Sequence, residues 1–257
     1  MSERRTLDFG PLQVDRLTSG EALGVVERLV REGRGGAIFT PNVDHVVLAE
    51  QDARMRAAYA RADLSLVDGM PLVWASRLLG APVPEKISGS DFTPKLLDRA
   101  ASRGWRVYFL GGAPGVVDLA RSKLRETLPA LQVVGVDSPK IDSDEAPERT
   151  RAVADRVRAA APQVVLVALG APKQEIWIDK VREGLRPIVF MAVGASLDFI
   201  AGTTPRAPAW ISRTGLEWLF RLALEPRRLS YRYLVRDPRF LPILARAVAA
   251  RVRRPGP

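Results

Sequence analysis

The chain has 257 residues, a net charge of +10, no cysteine and a single histidine. Its length allows one large domain, or one domain with an appendage. Without cysteine, neither a disulfide framework nor a thiolate metal site can form, and a lone histidine argues against a zinc site. The charged segment Met1–Arg5 lacks the apolar region of a signal peptide, and no run reaches the ~18 apolar residues of a spanning helix. We therefore expect a cytoplasmic protein.

Up to Gly202, short apolar runs alternate with helical patterns. The predicted strands are Ala37–Phe39, Leu64–Val67, Val107–Leu110, Val133–Val136, Val164–Leu169 and Ile188–Val193. The predicted helices are Gly20–Arg31, Val43–Ala60, Pro71–Leu79, Asp91–Arg103, Gly115–Thr127, Pro147–Ala160 and Gln174–Arg182. This alternation predicts an α/β fold, Rossmann-like, with an open, mostly parallel sheet and helices on both faces. The units are too few for a TIM barrel.

The composition changes after Gly202. Residues 203–257 contain 12 arginines and 3 acidic residues, which gives this segment a charge of +9. Prolines divide it into short helices, and it has no strand signal. We therefore predict an α/β catalytic domain at residues 1–202 and a small, basic, helical C-terminal appendage at residues 203–257.

Residues suited to ligand binding follow five of the predicted strands. Ligands of open α/β sheets bind outside the carboxyl ends of the strands. Glycine turns that open helices suit phosphate groups, so two of these turns together with Lys173 would suit a diphosphate. A single such loop is explained equally well by backbone geometry, whereas five favour one shared crevice. The five segments are Thr40-Pro41-Asn42, Asp68-Gly69, Gly111-Gly112-Ala113-Pro114-Gly115, Gly170-Ala171-Pro172-Lys173-Gln174-Glu175 and Gly194-Ala195-Ser196.

Asp68 is the best candidate for a general base, because a carboxylate at a strand end can be partly desolvated. Spacing alone favours the alternative that Asp68 caps the helix beginning near Pro71. The segment Asp142-Ser143-Asp144 has the D-x-D form of a metal site, but its polar surroundings predict a solvated loop, so we predict no metal. We expect His45 on a helix surface near the site.

Arginines and aromatic residues alternate in the appendage, which allows three interpretations. It binds anionic lipid, binds nucleic acid, or is a plain solvated surface. The segments Trp218–Leu224 and Phe240–Arg246 are typical of interfacial helices with one apolar face. No nucleic-acid-binding module is recognisable. We therefore predict an anionic membrane surface as the partner, and no nucleic acid.

Several ordered motifs together resemble the WecG/TagA/CpsF glycosyltransferase family. The likeness covers about Gly36 to Tyr233. The motifs are Thr40-Pro41-Asn42, Val67-Asp68-Gly69-Met70-Pro71, Ser88-Gly89-Ser90-Asp91, Gly170-Ala171-Pro172-Lys173-Gln174-Glu175, Val193-Gly194-Ala195, Asp198-Phe199 with Ala201-Gly202, Arg206-Ala207-Pro208, and Gly215-Leu216-Glu217-Trp218 through Glu225-Pro226-Arg227-Arg228.

The resemblance implies an inverting glycosyltransferase, and the residues themselves lead us to predict that it needs neither cofactor nor metal. Such an enzyme moves an N-acetylmannosamine-type or glucose-type sugar from a UDP-sugar to an undecaprenyl-diphosphate-linked sugar, in cell-surface polysaccharide or teichoic-acid synthesis. We expect it on the inner face of the cell membrane as a peripheral protein, and a homo-oligomer is compatible with these expectations. The alternatives are a non-catalytic regulatory protein that binds nucleotide sugars, or a nucleic-acid-binding protein that uses the basic appendage.

The resemblance also implies roles for individual residues. Asp68 is the general base, and Thr40 and Asn42 line the donor and acceptor pocket. Lys86 stands where the family usually has arginine, so it keeps the charge but cannot make a forked contact with phosphate. The expected substrate-binding residues are Lys86, Asp91, Gly111, Gly112, Gly170, Lys173, Gln174, Glu175, Gly194, Arg221, Arg227 and Arg228.

Overall fold

A computed structural model of the chain describes residues 5–142, 144, 146–208, 211 and 214–253. Its six-stranded sheet is parallel throughout, and the spatial order of its strands is Leu64–Ser65, Gly36–Phe39, Val189–Ala192, Val164–Ala168, Arg106–Gly111 and Gln132–Asp137. All six predicted strands are present, so the predicted fold class is confirmed. The strands are β1 (Thr6–Asp8), β2 (Gln13–Asp15), β3 (Gly36–Phe39), β4 (Leu64–Ser65), β5 (Arg106–Gly111), β6 (Gln132–Asp137), β7 (Val164–Ala168) and β8 (Val189–Ala192).

Helices cover both faces of the sheet. In β7, Val165 and Val167 pack into one buried apolar cluster, whereas Val164 and Leu166 pack into another. A strand buried on both faces reads as a continuous apolar run, which is why these strands are visible in the sequence. The helices are α1 (Ser19–Arg31), α2 (Val43–Gln51), α3 (Ala53–Ala60), α4 (Met70–Leu78), α5 (Gly89–Arg103), α6 (Val116–Thr127), α7 (Pro147–Ala160), α8 (Lys173–Val181), α9 (Ser196–Ala201), α10 (Glu217–Leu224), α11 (Pro226–Tyr231) and α12 (Phe240–Arg253).

Two local features differ from the sequence prediction. The helix predicted over Val43–Ala60 is interrupted at Asp52, whose backbone is extended and whose carboxylate accepts a hydrogen bond from the Arg54 amide. A side chain that binds the backbone locally favours a helix cap over a helix interior. The antiparallel pair β1 and β2 was not predicted, because its strands are only three residues long. The Asp15 carboxylate joins this pair to the sheet by accepting a 2.8 Å hydrogen bond from the Ser65 amide.

The appendage is helical wherever it has regular structure in the described residues. Between α11 and α12 lie a π-helical segment at Arg232–Arg236 and a 3-10 turn at Asp237–Arg239. Phe240 and Ile243 of α12 belong to a buried cluster that includes sheet residues, whereas α10 buries none of its residues. The division of the chain at residue 202 stays a prediction. None of the described helices has the length and apolarity that crossing a bilayer requires.

Candidate active site

A cleft of about 1090 Å³ lies at the carboxyl edge of the sheet, and the appendage forms part of its wall. Five helices that begin at this edge, α2, α4, α5, α8 and α9, contribute residues of their first turns to the lining. Amides in the first turn of a helix lack partners within the helix, so their N–H groups and the helix dipoles favour negative charge there. The cleft is therefore suited to an anionic ligand.

Most of the residues predicted for the site line this cleft. They are Thr40, Asn42, Asp68, Lys86, Gly112, Gly170, Lys173, Gln174, Gly194, Arg221 and Arg228. Four others do not belong to the lining: Asp91, Gly111, Glu175 and Arg227. The first three are each next in sequence to a lining residue, and their contacts are described below. Arg227 is exposed on α11.

Asp68 lies in the loop that joins β4 to α4, two residues before the helix begins. Its amide donates a 2.9 Å hydrogen bond to the carbonyl of Pro41, which ties it to the loop after β3. Gly69 follows with φ of 100°, a value that favours glycine, and Gly69 is itself the N-cap of α4. The alternative that Asp68 caps this helix is therefore wrong, and its carboxylate is available to the cleft.

The charge environment adjusts the acidity of Asp68. Burial raises the pKa of its carboxyl to about 6, and the negative charge of Glu217 contributes to this increase. The positive charges of Lys86 and Arg221 oppose it. A carboxylate with a pKa near 6 is ionised at neutral pH, yet it holds a proton more tightly than an ordinary aspartate, which suits a general base.

Lys86 connects the α/β part of the protein up to residue 202, which we call the sheet body, to the appendage. Its Nζ lies 3.5 Å from Asp91 Oδ2 and 3.7 Å from Glu217 Oε2, and its side chain is mostly buried. Asp91 also accepts a 2.7 Å hydrogen bond from the Ser88 hydroxyl and forms an ion pair with Arg206. Lys86 thus pairs with one carboxylate of the sheet body, Asp91, and one of the appendage, Glu217.

A chain of polar side chains joins α2 to α8. His45 Nδ1 lies 2.8 Å from Asn42 Oδ1, and His45 Nε2 lies 3.4 Å from Glu175 Oε1. Gln174 donates a 2.8 Å hydrogen bond to the same Glu175 oxygen and accepts one of 3.2 Å from the Gly194 amide. This network of polar contacts therefore sets the positions of the Asn42 and Gln174 side chains in the cleft.

Two predictions made from the sequence about these polar side chains need revision. His45 is buried rather than on a helix surface. Its spacing of three residues from Asn42, which allows their side chains to form a capping box, was a usable signal. Glu175 is fully buried behind Gln174, so it supports the cleft residues instead of lining the cleft.

The glycine turns have different roles. A Cβ on Gly111 would lie 2.6 Å from the Ala168 carbonyl carbon, so glycine is needed there for the close approach of β5 and β7. Gly112, Gly170 and Gly194 instead line the cleft, each with positive φ. At Gly112, Gly170 and Gly194 the backbone is therefore exposed to a ligand in the cleft, whereas Gly111 is needed for packing within the sheet.

The two acids of the D-x-D segment are held by different cations. Asp142 Oδ1 lies 2.6 Å from Lys173 Nζ, and Asp144 pairs with Arg54. Ser143, between them, lies outside the described residues. Across the described parts of the chain, no three His, Cys, Asp or Glu side chains are grouped so as to hold a metal ion. Metal independence stays a prediction.

Sequence comparison assigns the chain to a family. The profile of the Glycosyl transferase WecG/TagA/CpsF family matches residues 7–254. The chain belongs to this family. It is therefore a glycosyltransferase. A relative from Bacillus spizizenii, an N-acetylglucosaminyldiphosphoundecaprenol N-acetyl-beta-D-mannosaminyltransferase, is 33% identical over 210 residues, which cover 82% of this chain and 79% of the relative.

The appendage of this glycosyltransferase brings several arginines to the cleft. The guanidinium of Arg221 lies 6.0 Å from the centre of the Phe199 ring, and Arg228 pairs with Glu225 at 2.8 Å. Sequence reasoning missed Arg232 and Arg236, which also line the cleft. The spacing of four residues from Arg228 to Arg232 to Arg236 was the available signal, because it places all three on one side of a helix.

Proposed function

We propose that this glycosyltransferase moves an N-acetylmannosamine-type or glucose-type sugar from a UDP-sugar to an undecaprenyl-diphosphate-linked sugar, with inversion, in cell-surface polysaccharide or teichoic-acid synthesis. The observation that carries the proposal is Asp68, a carboxylate with a raised pKa in a cleft lined by helix N-termini and cationic side chains. The name of the Bacillus spizizenii relative supports the lipid-linked acceptor and the mannosamine-type sugar.

In this mechanism Asp68 accepts the proton of the acceptor hydroxyl. The hydroxyl oxygen forms a bond to the anomeric carbon of the donor, and the bond from that carbon to the diphosphate oxygen breaks. A single displacement of this kind inverts the configuration. Thr40 and Asn42, at the end of β3, orient the reacting sugars.

Negative charge develops on the departing diphosphate, and the cleft offers several groups to stabilise it. Lys173, Arg221 and Arg228 carry positive charge, and the amides at the start of α8 and α9 add partial charges. These groups can act in place of a metal ion. We therefore expect transfer to persist in EDTA without any stimulation by Mg²⁺ or Mn²⁺. Loss of activity in EDTA that added metal restores would contradict this.

We also propose that the enzyme works at the inner face of the cell membrane. Large apolar side chains of the appendage are exposed, among them Trp218, Leu219, Leu224, Leu234 and Leu241. Apolar and aromatic side chains interspersed with arginines favour the interface of an anionic bilayer. Contact there would bring the cleft close to a lipid-linked acceptor.

The test is a transfer assay with a panel of UDP-sugars and a short-chain lipid-diphosphate N-acetylglucosamine acceptor. We expect transfer from at least one donor, with an inverted product, and its loss in Asp68→Asn while donor binding by calorimetry persists. Donor binding without transfer in the wild-type protein would favour a non-catalytic regulatory role.

A further inference from the structure

The appendage contacts the first turn of α2 through a buried group of charges. Arg236 Nε lies 2.5 Å from Asp44 Oδ1, and its Nη2 donates a 3.1 Å hydrogen bond to Oδ2. Arg232 Nε lies 3.2 Å from the same Asp44 Oδ2. The Asp44 side chain is only 5% exposed, and those of Arg232 and Arg236 are 20% and 29% exposed. We call Asp44, Arg232 and Arg236 the latch.

Arg232 has a second contact inside the cleft. Its Nη2 donates a 3.1 Å hydrogen bond to Asn42 Oδ1, the oxygen that also lies 2.8 Å from His45 Nδ1. The planar guanidinium can make both contacts because its nitrogens point in fixed, divergent directions. The side chain of Asn42 is thus held from the sheet body by His45 and from the appendage by Arg232.

We propose that the latch couples docking of the appendage to the orientation of Asn42, with Arg232 as a positioning residue for the transfer reaction. This inference rests on the proposed function, in which Asn42 orients the reacting sugars. When the latch is closed, Asp44 has its two arginine partners and Asn42 has its appendage contact. When the appendage leaves, both are lost together.

Burial explains why these contacts can control docking. Removing Arg236 leaves the buried Asp44 carboxylate with Arg232 as its arginine partner, and weakening a largely buried group of charges costs more than the loss of an exposed pair. The same helix α2 provides an exposed comparison. Arg246 of α12 pairs with Glu50 of α2, but these side chains are 62% and 39% exposed. Both pairs join the appendage to α2, and only the latch lies beside Asn42.

The first experiment compares Arg236→Gln with Arg246→Gln. Each removes one arginine and one potential trypsin site from the appendage. We expect Arg236→Gln to accelerate tryptic cleavage of the appendage and to lower the transfer rate by at least about tenfold, whereas Arg246→Gln changes each by less than about twofold. Equal behaviour of the two variants in both measurements would overturn the latch.

A second variant separates positioning from docking. In Arg232→Lys the ammonium can pair with Asp44 but cannot also reach Asn42, while Arg236 still holds Asp44. We expect unchanged resistance to trypsin and a kcat about tenfold lower at similar KM. Adding Arg232→Lys to Asn42→Ala should lower kcat no further. A normal kcat in Arg232→Lys, or additive losses in the double variant, would contradict the positioning role.

Different experimental results would contradict the proposed function and the latch. If wild-type protein transfers no sugar from any UDP-sugar, the proposed function is wrong, and the trypsin measurements still decide whether the latch holds the appendage. If wild-type protein transfers sugar but the latch variants match the Arg246→Gln control, only the latch is wrong.

Discussion

The sheet body and the appendage differ in how each is stabilised. The body buries apolar side chains on both faces of a parallel sheet. In the described part of the appendage only Leu229, Phe240 and Ile243 are buried apolar residues, and α10 contributes none. Its contacts with the body include ion pairs such as Arg236 with Asp44, beside the apolar packing of Phe240 and Ile243. Apolar burial drives folding without directional demands, whereas ion pairs depend on geometry and on the removal of water.

This difference in stabilisation indicates that the two parts of the protein have different roles in catalysis. The body carries Asp68 and the helix N-termini, which are set by a rigid sheet. The appendage carries Glu217, Arg221 and Arg228, which line the cleft from helices with little apolar burial. We therefore expect changes in the body to act on chemistry and stability, and changes in the appendage to act on assembly of the site.

The largest effect is expected from deleting residues 203–257. Transfer to a short-chain acceptor should fall below detection, because Arg221 and Arg228 leave the cleft. The body should stay folded, with its circular dichroism signal reduced only by the helices removed, but it should melt at a lower temperature, since Phe240 and Ile243 leave a buried cluster shared with β1 and β2. As a control, Ile243→Ala should lower the melting temperature yet retain most of the transfer. A truncated protein that transfers at the full rate would show that the appendage is only an anchor.

Next in size, Asp68→Asn should reduce turnover by ~10²–10⁴, the usual contribution of a positioned base. In the wild-type enzyme kcat should decline as the pH falls through about 6, because the base must be ionised. A turnover near normal in the variant would remove Asp68 from the mechanism.

Asp68→Asn should also be more stable than the wild-type protein at pH 8. The pKa of Asp68 is raised from 3.8 to about 6 in the folded protein, so its stability contribution is complete below 3.8 and is lost as the pH rises through about 6. Above that pH the wild-type protein carries a partly desolvated charge that the asparagine lacks. Melting curves should show the gain at pH 8, at most about 3 kcal/mol, and little gain at pH 4.

An intermediate effect should separate the two proposed roles of the appendage. Arg221→Lys should slow transfer to a soluble short-chain acceptor by on the order of tenfold, because lysine cannot make a forked contact with a diphosphate. It should leave binding to anionic vesicles nearly unchanged. The double variant Arg251→Gln with Arg253→Gln should do the reverse, since each basic residue near such a surface contributes ~1 kcal/mol. Co-sedimentation across salt concentrations measures the binding, and parallel losses in both assays would contradict the separation.

The smallest effect is expected at Asp237, beside the latch. Burial raises the pKa of its carboxyl to about 6, the charge of Asp44 adds to this, and Arg232 and Arg236 oppose it. Because folding raises this pKa, ionisation of Asp237 destabilises the folded protein, as it does for Asp68. Asp237→Asn should raise the melting temperature slightly at pH 8 and not at pH 4. Arg232 Nε lies 3.8 Å from Asp237 Oδ2, and a lower melting temperature at pH 8 would mean that this ion pair outweighs the burial of Asp237.

The order of residues along the chain is enough to predict the sheet, most of the helices and the edge at which the cleft lies. These features are local: a strand buried on both faces is an apolar run, and glycine or polar residues must follow it where the chain turns into a helix. Thr40, Asp68 and Gln174 could therefore be assigned to one cleft from the sequence alone.

The side chains that support that cleft are set by contacts between distant elements. Arg232 meets Asn42 across 190 residues of sequence, and Arg236 meets Asp44 across 192. His45 and Glu175 pair from two different helices, and Gly111 serves the packing of β5 against β7. Such contacts depend on how whole elements are placed against one another, and local patterns carry no record of that placement. A charged residue on an amphipathic helix looks the same in sequence whether it faces water or a buried partner, because only burial distinguishes the two.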